Sequence, residues 1–338
     1  TSYVWPAAHC WAPAVAEPRA VAQDSEVVIV GGGLAGIAAA LRFADCGRSV
    51  TLVEGRPRLG GAAFSFTRGE LSVDNGQHVF LRCCQAYRWL LRRIGATELT
   101  YLQPRLDIAV LDPSGRQGRL SRAPGVPAPA HLGAALSRYA LLSPLDRLRA
   151  VRGAIALRML SPQDPSLDAQ TLGQYLRRHG QNDATIDALW GVVATATLNL
   201  RPDDASLALA AKVFRTGLLD EATAADVGYA TAPLGALHHE AAACALRAAG
   251  VHIRLGEKVR TVEPGVVRLA GDGAMRAETV VLAVPHRDAF ALLPRLSDTA
   301  AAPARGLGST PNLNVHVVYD RRVTDLPFAA AVRSPVQW

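Results

Sequence analysis

Gly31, Gly33 and Gly36 stand in a Gly-x-Gly-x-x-Gly spacing directly after the apolar run Val27–Val30, and Glu54 follows 18 residues later at the end of a second apolar run, Ser49–Val53. Residue types in this pattern can bind a dinucleotide. Gly31 makes a sharp turn, Gly33 lets backbone approach a pyrophosphate, and Gly36 lets the following helix pack on the sheet. That helix starts at Leu34 and Ala35 and would aim its free N–H groups and positive dipole end at the pyrophosphate. A carboxylate at Glu54 accepts the hydroxyls of an unphosphorylated adenosine ribose and repels a 2′-phosphate.

The elements that must position these residues read as a strand, a glycine turn, an Ala-rich helix and a second strand. With 338 residues and 49% hydrophobic content, the chain can bury a large core and has the length of two domains. The net charge of +7 is almost wholly arginine, since Lys212 and Lys258 are the only lysines. No compact basic run with interleaved aromatics is present, which argues against nucleic acid as a partner. The charge favours an anionic membrane surface instead. Cys10, Cys46, Cys83, Cys84 and Cys244 show no Cys-x-x-Cys spacing, which points to a reducing compartment with neither disulfide framework nor metal site. The consecutive His238, His239 and Glu240 lack helical ligand spacing and are expected to be solvated. The longest uncharged apolar run, Val27–Leu41, is too short to span a bilayer. Residues 1–23 are expected to be a disordered leader rather than a signal peptide.

Glu54-Gly55-Arg56-Pro57-Arg58-Leu59-Gly60-Gly61 continues the motif with a basic turn and a glycine doublet. This resembles the amine oxidase and phytoene desaturase superfamily of FAD enzymes. The resemblance implies FAD as cofactor, Gly60 and Gly61 as contacts along the diphosphate and ribityl chain, and Arg56 on the adenosine side. Arg58 reads as a solvated turn residue. Asp74-Asn75-Gly76-Gln77-His78 by itself reads as a turn and helix cap. In the superfamily this segment passes over the isoalloxazine ring, which makes Gly76 a point of close approach and turns Gln77 and His78 toward ring or substrate. A valine at the Val259 position contacts adenine through its backbone in that family.

The Asp-Asn-Gly-Gln-His string is similar to one branch, the squalene-associated FAD-dependent desaturases, which are hydroxysqualene dehydroxylases of hopanoid biosynthesis. Leu189–Asn199 with its Trp190, Pro202 and the Ala205-Ser206 pair resemble that branch too, and Ser334–Trp338 matches a strand of its substrate domain. The resemblance implies reductive removal of the allylic hydroxyl of hydroxysqualene, a polyisoprenoid lipid. His78 would be the general acid, because its ordinary pKa lies near neutrality, with Asp74 as an orienting partner and Gln77 beside it. Carotenoid desaturation and amine oxidation are the rival activities, and a non-catalytic remnant is a third reading. A cytoplasmic location, peripheral on the inner face of the membrane, follows from the lipid substrate.

The expected fold is α/β, a Rossmann-like FAD-binding domain with an inserted α+β substrate domain of a helical cap plus an antiparallel sheet. Residues 24–100 and 231–295 would form the FAD-binding domain, 101–230 the cap, and 296–338 further substrate-domain strands. A hairpin is expected around Asp112–Gly115, then helices near 130–160, 168–179, 183–198 and 204–219, and later a helix from Pro233 to Gly250. The superfamily closes its flavin site with a Gly-Asp segment that is not met here, since Gly271-Asp272-Gly273 reads as a hairpin turn. The chain therefore reads as truncated, ending at Trp338 inside a substrate-domain strand.

Overall fold

In this computed structural model, residues 25–293 and 306–338 are described. The expected leader, residues 1–23, lies outside them. The strands in chain order are β1 (Ser25–Val30), β2 (Val50–Glu54), β3 (Ser65–Arg68), β4 (Leu71–Asp74), β5 (Val79–Leu81), β6 (Thr100–Leu102), β7 (Asp107–Leu111), β8 (Gln117–Ser121), β9 (Val227–Ala230), β10 (His252–Leu255), β11 (Val259–Glu263), β12 (Val266–Leu269), β13 (Ala274–Leu282) and β14 (Ala329–Ala331). The helices are α1 (Leu34–Asp45), α2 (Gln85–Arg93), α3 (Gly133–Ser137), α4 (Pro144–Arg158), α5 (Leu172–Arg178), α6 (Asp183–Thr185), α7 (Gly191–Leu198), α8 (Leu207–Phe214), α9 (Ala242–Ala248) and α10 (His286–Leu292).

The chain divides into two units, the first taking the sequence through His78 with Arg88–Thr100 and Ala230–Gly308. Its six-stranded sheet runs β10-β2-β1-β13-β12-β11. β1 lies parallel to β2 and to the second half of β13, in a register that sets Val30 beside Val53 and Leu282. Val27, Val28 and Ile29 are completely buried, the continuous apolar run expected of a parallel strand covered on both faces. The long β13 changes role midway, because its Ala274–Arg276 half pairs antiparallel with β12. α1 buries Ile37, Ala40 and Leu41 and packs against α9. Val28, Val30 and Val53 feed a cluster with Val259, Val262 and Val267.

The second unit takes Val79–Tyr87, Tyr101–Tyr229 and Ser309–Trp338. Its helices close on Leu157, Leu172, Leu176, Trp190, Leu207 and Phe214. Gly153 in α4 is needed there, since a Cβ would come within 2.8 Å of the Trp190 ring. Polar caps rather than long apolar periods set the helix ends. Ser143 accepts the Asp146 N–H at α4 and Ser206 the Leu209 N–H at α8, while Thr171 and Gln174 form a capping box at α5. These caps break the helices expected near 130–160 and 168–179 into shorter pieces, whereas the helix expected at 183–198 runs unbroken through a π-helical turn at Ile186–Trp190, and the one expected at 204–219 starts at Leu207 and ends in a π-helical turn at Arg215–Leu219. The expected hairpin is β7–β8. β14 joins it parallel to β7, at Ala329–Ala331. The strand expected at Ser334–Trp338 is therefore misplaced: Arg333 has φ +54°, which ends the strand, and Pro335 has no N–H for a ladder. A fully buried carboxylate, Asp226, accepts the Leu106 N–H at 2.7 Å and Nε–H donors from Arg122 at 2.7 Å and Arg82 at 2.8 Å.

Candidate functional site

The site in the first unit is built on glycine backbone. Gly31 has φ +107°, and a Cβ there would stand 2.4 Å from the Ala283 carbonyl oxygen. A Cβ on Gly36 would reach 1.8 Å from the Gly31 carbonyl oxygen, so the first turn of α1 sits directly on the glycine turn. Gly33 is different. Its backbone is extended, and a Cβ would meet only the Cα of Gly61, at 3.8 Å, so the space above it is open. The doublet lies on this turn: the Gly60 N–H donates to the Gly32 carbonyl at 2.9 Å, and a Cβ on Gly61 would stand 2.9 Å from the Gly33 Cα. Gly60 and Gly61 both have positive φ, +95° and +57°.

This arrangement has the shape and donors to hold a diphosphate. The α1 N-terminus has no side-chain cap and no acid in its first turn, which leaves the N–H groups of Leu34, Ala35 and Gly36 and the positive dipole end for an anion. Arg56 and Arg58 both donate to the Gly61 carbonyl, at 3.3 and 3.0 Å. The expectation of a solvated Arg58 is overturned. Its guanidinium stacks 3.7 Å from the Phe64 ring centroid, and burial, then the Arg56 charge, pull its pKa down against the opposing pull of Glu54.

Glu54 is pinned beside this turn. Its Oε2 accepts the Gly32 N–H at 2.7 Å and its Oε1 the Arg56 N–H at 2.8 Å. The carboxylate is thus held in place with lone pairs remaining on both oxygens, enough to accept two ribose hydroxyls. The turn from β10 to β11 borders it, through bonds from the Glu257 N–H to the Glu54 carbonyl and from the Gly256 N–H to the Arg56 carbonyl. Val259 follows at a bulge, its side chain buried, and Lys258 before it faces Gly55. Glycine cradle, pinned acid and valine turn fit the two phosphates, ribose and adenine end of FAD.

Asp74–His78 is tied to the same unit by Asn75. Its side chain accepts the Phe64 N–H at 3.0 Å and donates to the Ala62 carbonyl at 2.7 Å, anchoring the segment to the chain that leaves the doublet. Asp74 does not meet His78 here. Its Oδ1 accepts from the Ser65 hydroxyl at 2.6 Å and from the Leu234 N–H at 2.9 Å, and Ser65 Oγ takes the Gly235 N–H, so the pair receives the next helical segment. A carboxylate with those donors is committed to a cap, and the orienting role expected for Asp74 is replaced by a structural one. His78 is exposed, as is Gln77, while Gly76 is buried. The His78 Nδ1 lies 2.9 Å from the Gly76 carbonyl. Because a carbonyl only accepts, Nδ1 carries the hydrogen and Nε2 is the atom that can exchange a proton.

His238 and His239 are not solvated. Their π-helical turn, Ala236–Ala241, sets His238 against Gly60, where a Cβ would come 3.1 Å from the His238 Cβ, and lets the His239 Nδ1 accept the Leu59 N–H at 3.2 Å. Burial, opposed by the Ala63 backbone and Asp74 and helped by His78, pushes the His238 pKa down; burial does the same to His239. Both rings hold the doublet from behind. A π-helical turn often marks a functional site, but its i→i+5 pitch leaves no trace in residue spacing.

The chain matches the family described as flavin containing amine oxidoreductase over residues 34–334. It is 30% identical over 282 residues to hydroxysqualene dehydroxylase of Rhodopseudomonas palustris, covering 80% of this chain and 64% of that protein. It is 28% identical over 181 residues to a probable zeta-carotene desaturase of Synechococcus elongatus, covering 50% of this chain and 37% of that protein. Among solved structures, an oxidoreductase from Methanosarcina mazei has a TM-score of 0.61 at 17% identity, covering 82% of this chain and 63% of that one. An A394C mutant of putrescine oxidase has a TM-score of 0.59 at 22% identity, covering 83% and 63%. The chain thus spans less than two thirds of the length of these relatives.

Proposed function

Because the chain belongs to the flavin containing amine oxidoreductase family, with FAD as its cofactor, we propose that it is an FAD-dependent oxidoreductase that removes the allylic hydroxyl of hydroxysqualene to give squalene. The observation that carries this reading is the Asn75 clamp, which ties the Asp74–His78 segment to the chain leaving the glycine doublet and leaves the imidazole of His78 exposed. The resemblance to the Rhodopseudomonas palustris protein over most of the chain favours the substrate.

The residues divide the work. Gly33, Gly61 and the first turn of α1 receive the diphosphate, and Glu54 receives the ribose. When bound, FAD supplies the hydride chemistry. His78 Nε2–H gives its proton to the hydroxyl oxygen as the C–O bond breaks, so that water rather than hydroxide departs. Its Nδ1–H bond to the Gly76 carbonyl holds the ring plane through that transfer. The zeta-carotene desaturase relatives favour a second reading, desaturation of a carotenoid. Presenting the reduced protein with hydroxysqualene, and the oxidised protein with zeta-carotene or putrescine, separates the readings. The proposal expects squalene from the first and no turnover of the others. Dehydrogenation of zeta-carotene without squalene formation would replace it with the second reading.

A further inference from the structure

Helix α4 carries an apolar stripe that nothing in the described structure covers. Leu145, Leu148, Val151 and Ile155, with Met159 just past the helix end, are 56%, 68%, 45%, 58% and 81% exposed. Isolated exposed hydrophobics are ordinary. These five recur three or four residues apart and so share one face of a helix about 22 Å long. The opposite face is spent on the interior, where Ala150, Gly153 and Leu157 are buried.

The exposed charges that α4 itself carries beside the stripe are of one sign. Arg152 is exposed and falls between Leu148 and Ile155 on the same face, with Arg149 on one flank and Arg147 and Arg158 on the other. The helix has a single carboxylate, Asp146, and it is buried, accepting from Ser143, Arg149 and Asn182. The outward face of the helix itself therefore presents aliphatic side chains and guanidinium groups, and the carboxylate at its flank is Asp220, 3.8 Å from Arg158 at the C-terminal end.

We propose that this face of α4 docks on the surface of an anionic lipid bilayer, lying in the interface with its aliphatic stripe among the acyl chains and its arginines among the headgroup phosphates. Charge complementarity selects this occupant. Arginine stems lie along apolar surface while their heads reach the phosphates. A second copy is a poorer fit, because twofold pairing about the middle of α4 would set Arg152 against its own copy. Among the described residues no helix is long and apolar enough to cross a membrane, so docking in the interface is the mode α4 offers. The inference stands on the helix alone, and vesicle binding and hydroxysqualene turnover fail separately.

The test is flotation of the full chain with vesicles of phosphatidylcholine, alone and mixed with phosphatidylglycerol. The chain should float with the mixed vesicles and release in high salt. Leu148→Ser combined with Ile155→Ser and Met159→Ser should cut the bound fraction by about tenfold or more, with circular dichroism unchanged. Arg152→Glu should weaken binding to mixed vesicles while leaving the stripe intact. The proposal is overturned if the chain stays unbound, if the triple variant floats as well as the parent, or if the triple variant abolishes a concentration-dependent dimer in sedimentation.

Discussion

Replacing Gly33 by alanine separates binding of the cofactor from folding of the protein. The extended backbone of Gly33 accepts any side chain, and the new Cβ would meet only the Gly61 Cα at 3.8 Å, an ordinary contact. The apo protein should therefore keep its stability to within about 1 kcal/mol, with a small gain from the stiffer unfolded chain as the favoured direction. The methyl carbon stands in the open space above the cradle. A phosphate displaced by it loses at least one charge-assisted backbone bond, a loss of about 1.5–3 kcal/mol, or roughly 10- to 150-fold in FAD affinity. Titration of apo protein with FAD by flavin fluorescence, alongside urea unfolding without FAD, reads both quantities. Gly31→Ala is the control that should fail differently, because φ +107° and the Ala283 carbonyl oxygen 2.4 Å away leave no room for a side chain in the folded protein itself. If Gly33→Ala binds FAD as tightly as the parent, the diphosphate does not lie over Gly33 and the reasoning is refuted.

Three further outcomes follow from named residues. His78→Gln should slow turnover by about 10²- to 10⁴-fold with the bound-FAD spectrum unchanged, and an unaffected rate would remove His78 as the acid. Burial opposes ionisation of Asp226, yet bonds from Arg122, Arg82 and the Leu106 N–H outweigh it and hold the carboxyl below its ordinary 3.8. The stability it contributes is present above that value and is lost as pH falls through the lower folded value. Asp226→Asn, which leaves two guanidinium groups beside a neutral amide, should cost about 3–5 kcal/mol at pH 7 in urea unfolding. His131 is fully buried, both ring nitrogens lack a partner, and burial, then Arg122, hold its pKa below 6.5 against Asp226. The unfolded chain binds the proton first, so stability falls as pH drops below 6.5. His131→Leu should flatten the fall in melting temperature between neutral pH and pH 5, and an unchanged slope would contradict it.

The strand, glycine turn, helix and acid were legible in the sequence because they are local. Val27–Val30, a short β-branched run ending at a glycine turn, reads as a buried strand, and the positions of Gly31, Gly33 and Gly36 follow from the turn itself. The glycine doublet was legible as a motif, but not its seat on Gly33, which is a contact between chain segments. Arg58, His238, His239 and the cap formed by Asp74 were hidden for one reason. Each takes its role from a partner in three dimensions, as when Asp74 meets the Leu234 N–H 160 residues away. The breaks in the helices expected near 130–160 and 168–179 and the place of β14 were missed through backbone detail: side-chain caps and the positive φ of Arg333 carry no apolar period.

The most direct test of the account is to reduce the FAD-loaded protein without oxygen, add hydroxysqualene, and follow the flavin absorbance while assaying squalene by mass spectrometry. The oxidised flavin band should return in step with squalene, one molecule for each flavin. A flavin that binds and stays reduced, with no squalene formed, would contradict it.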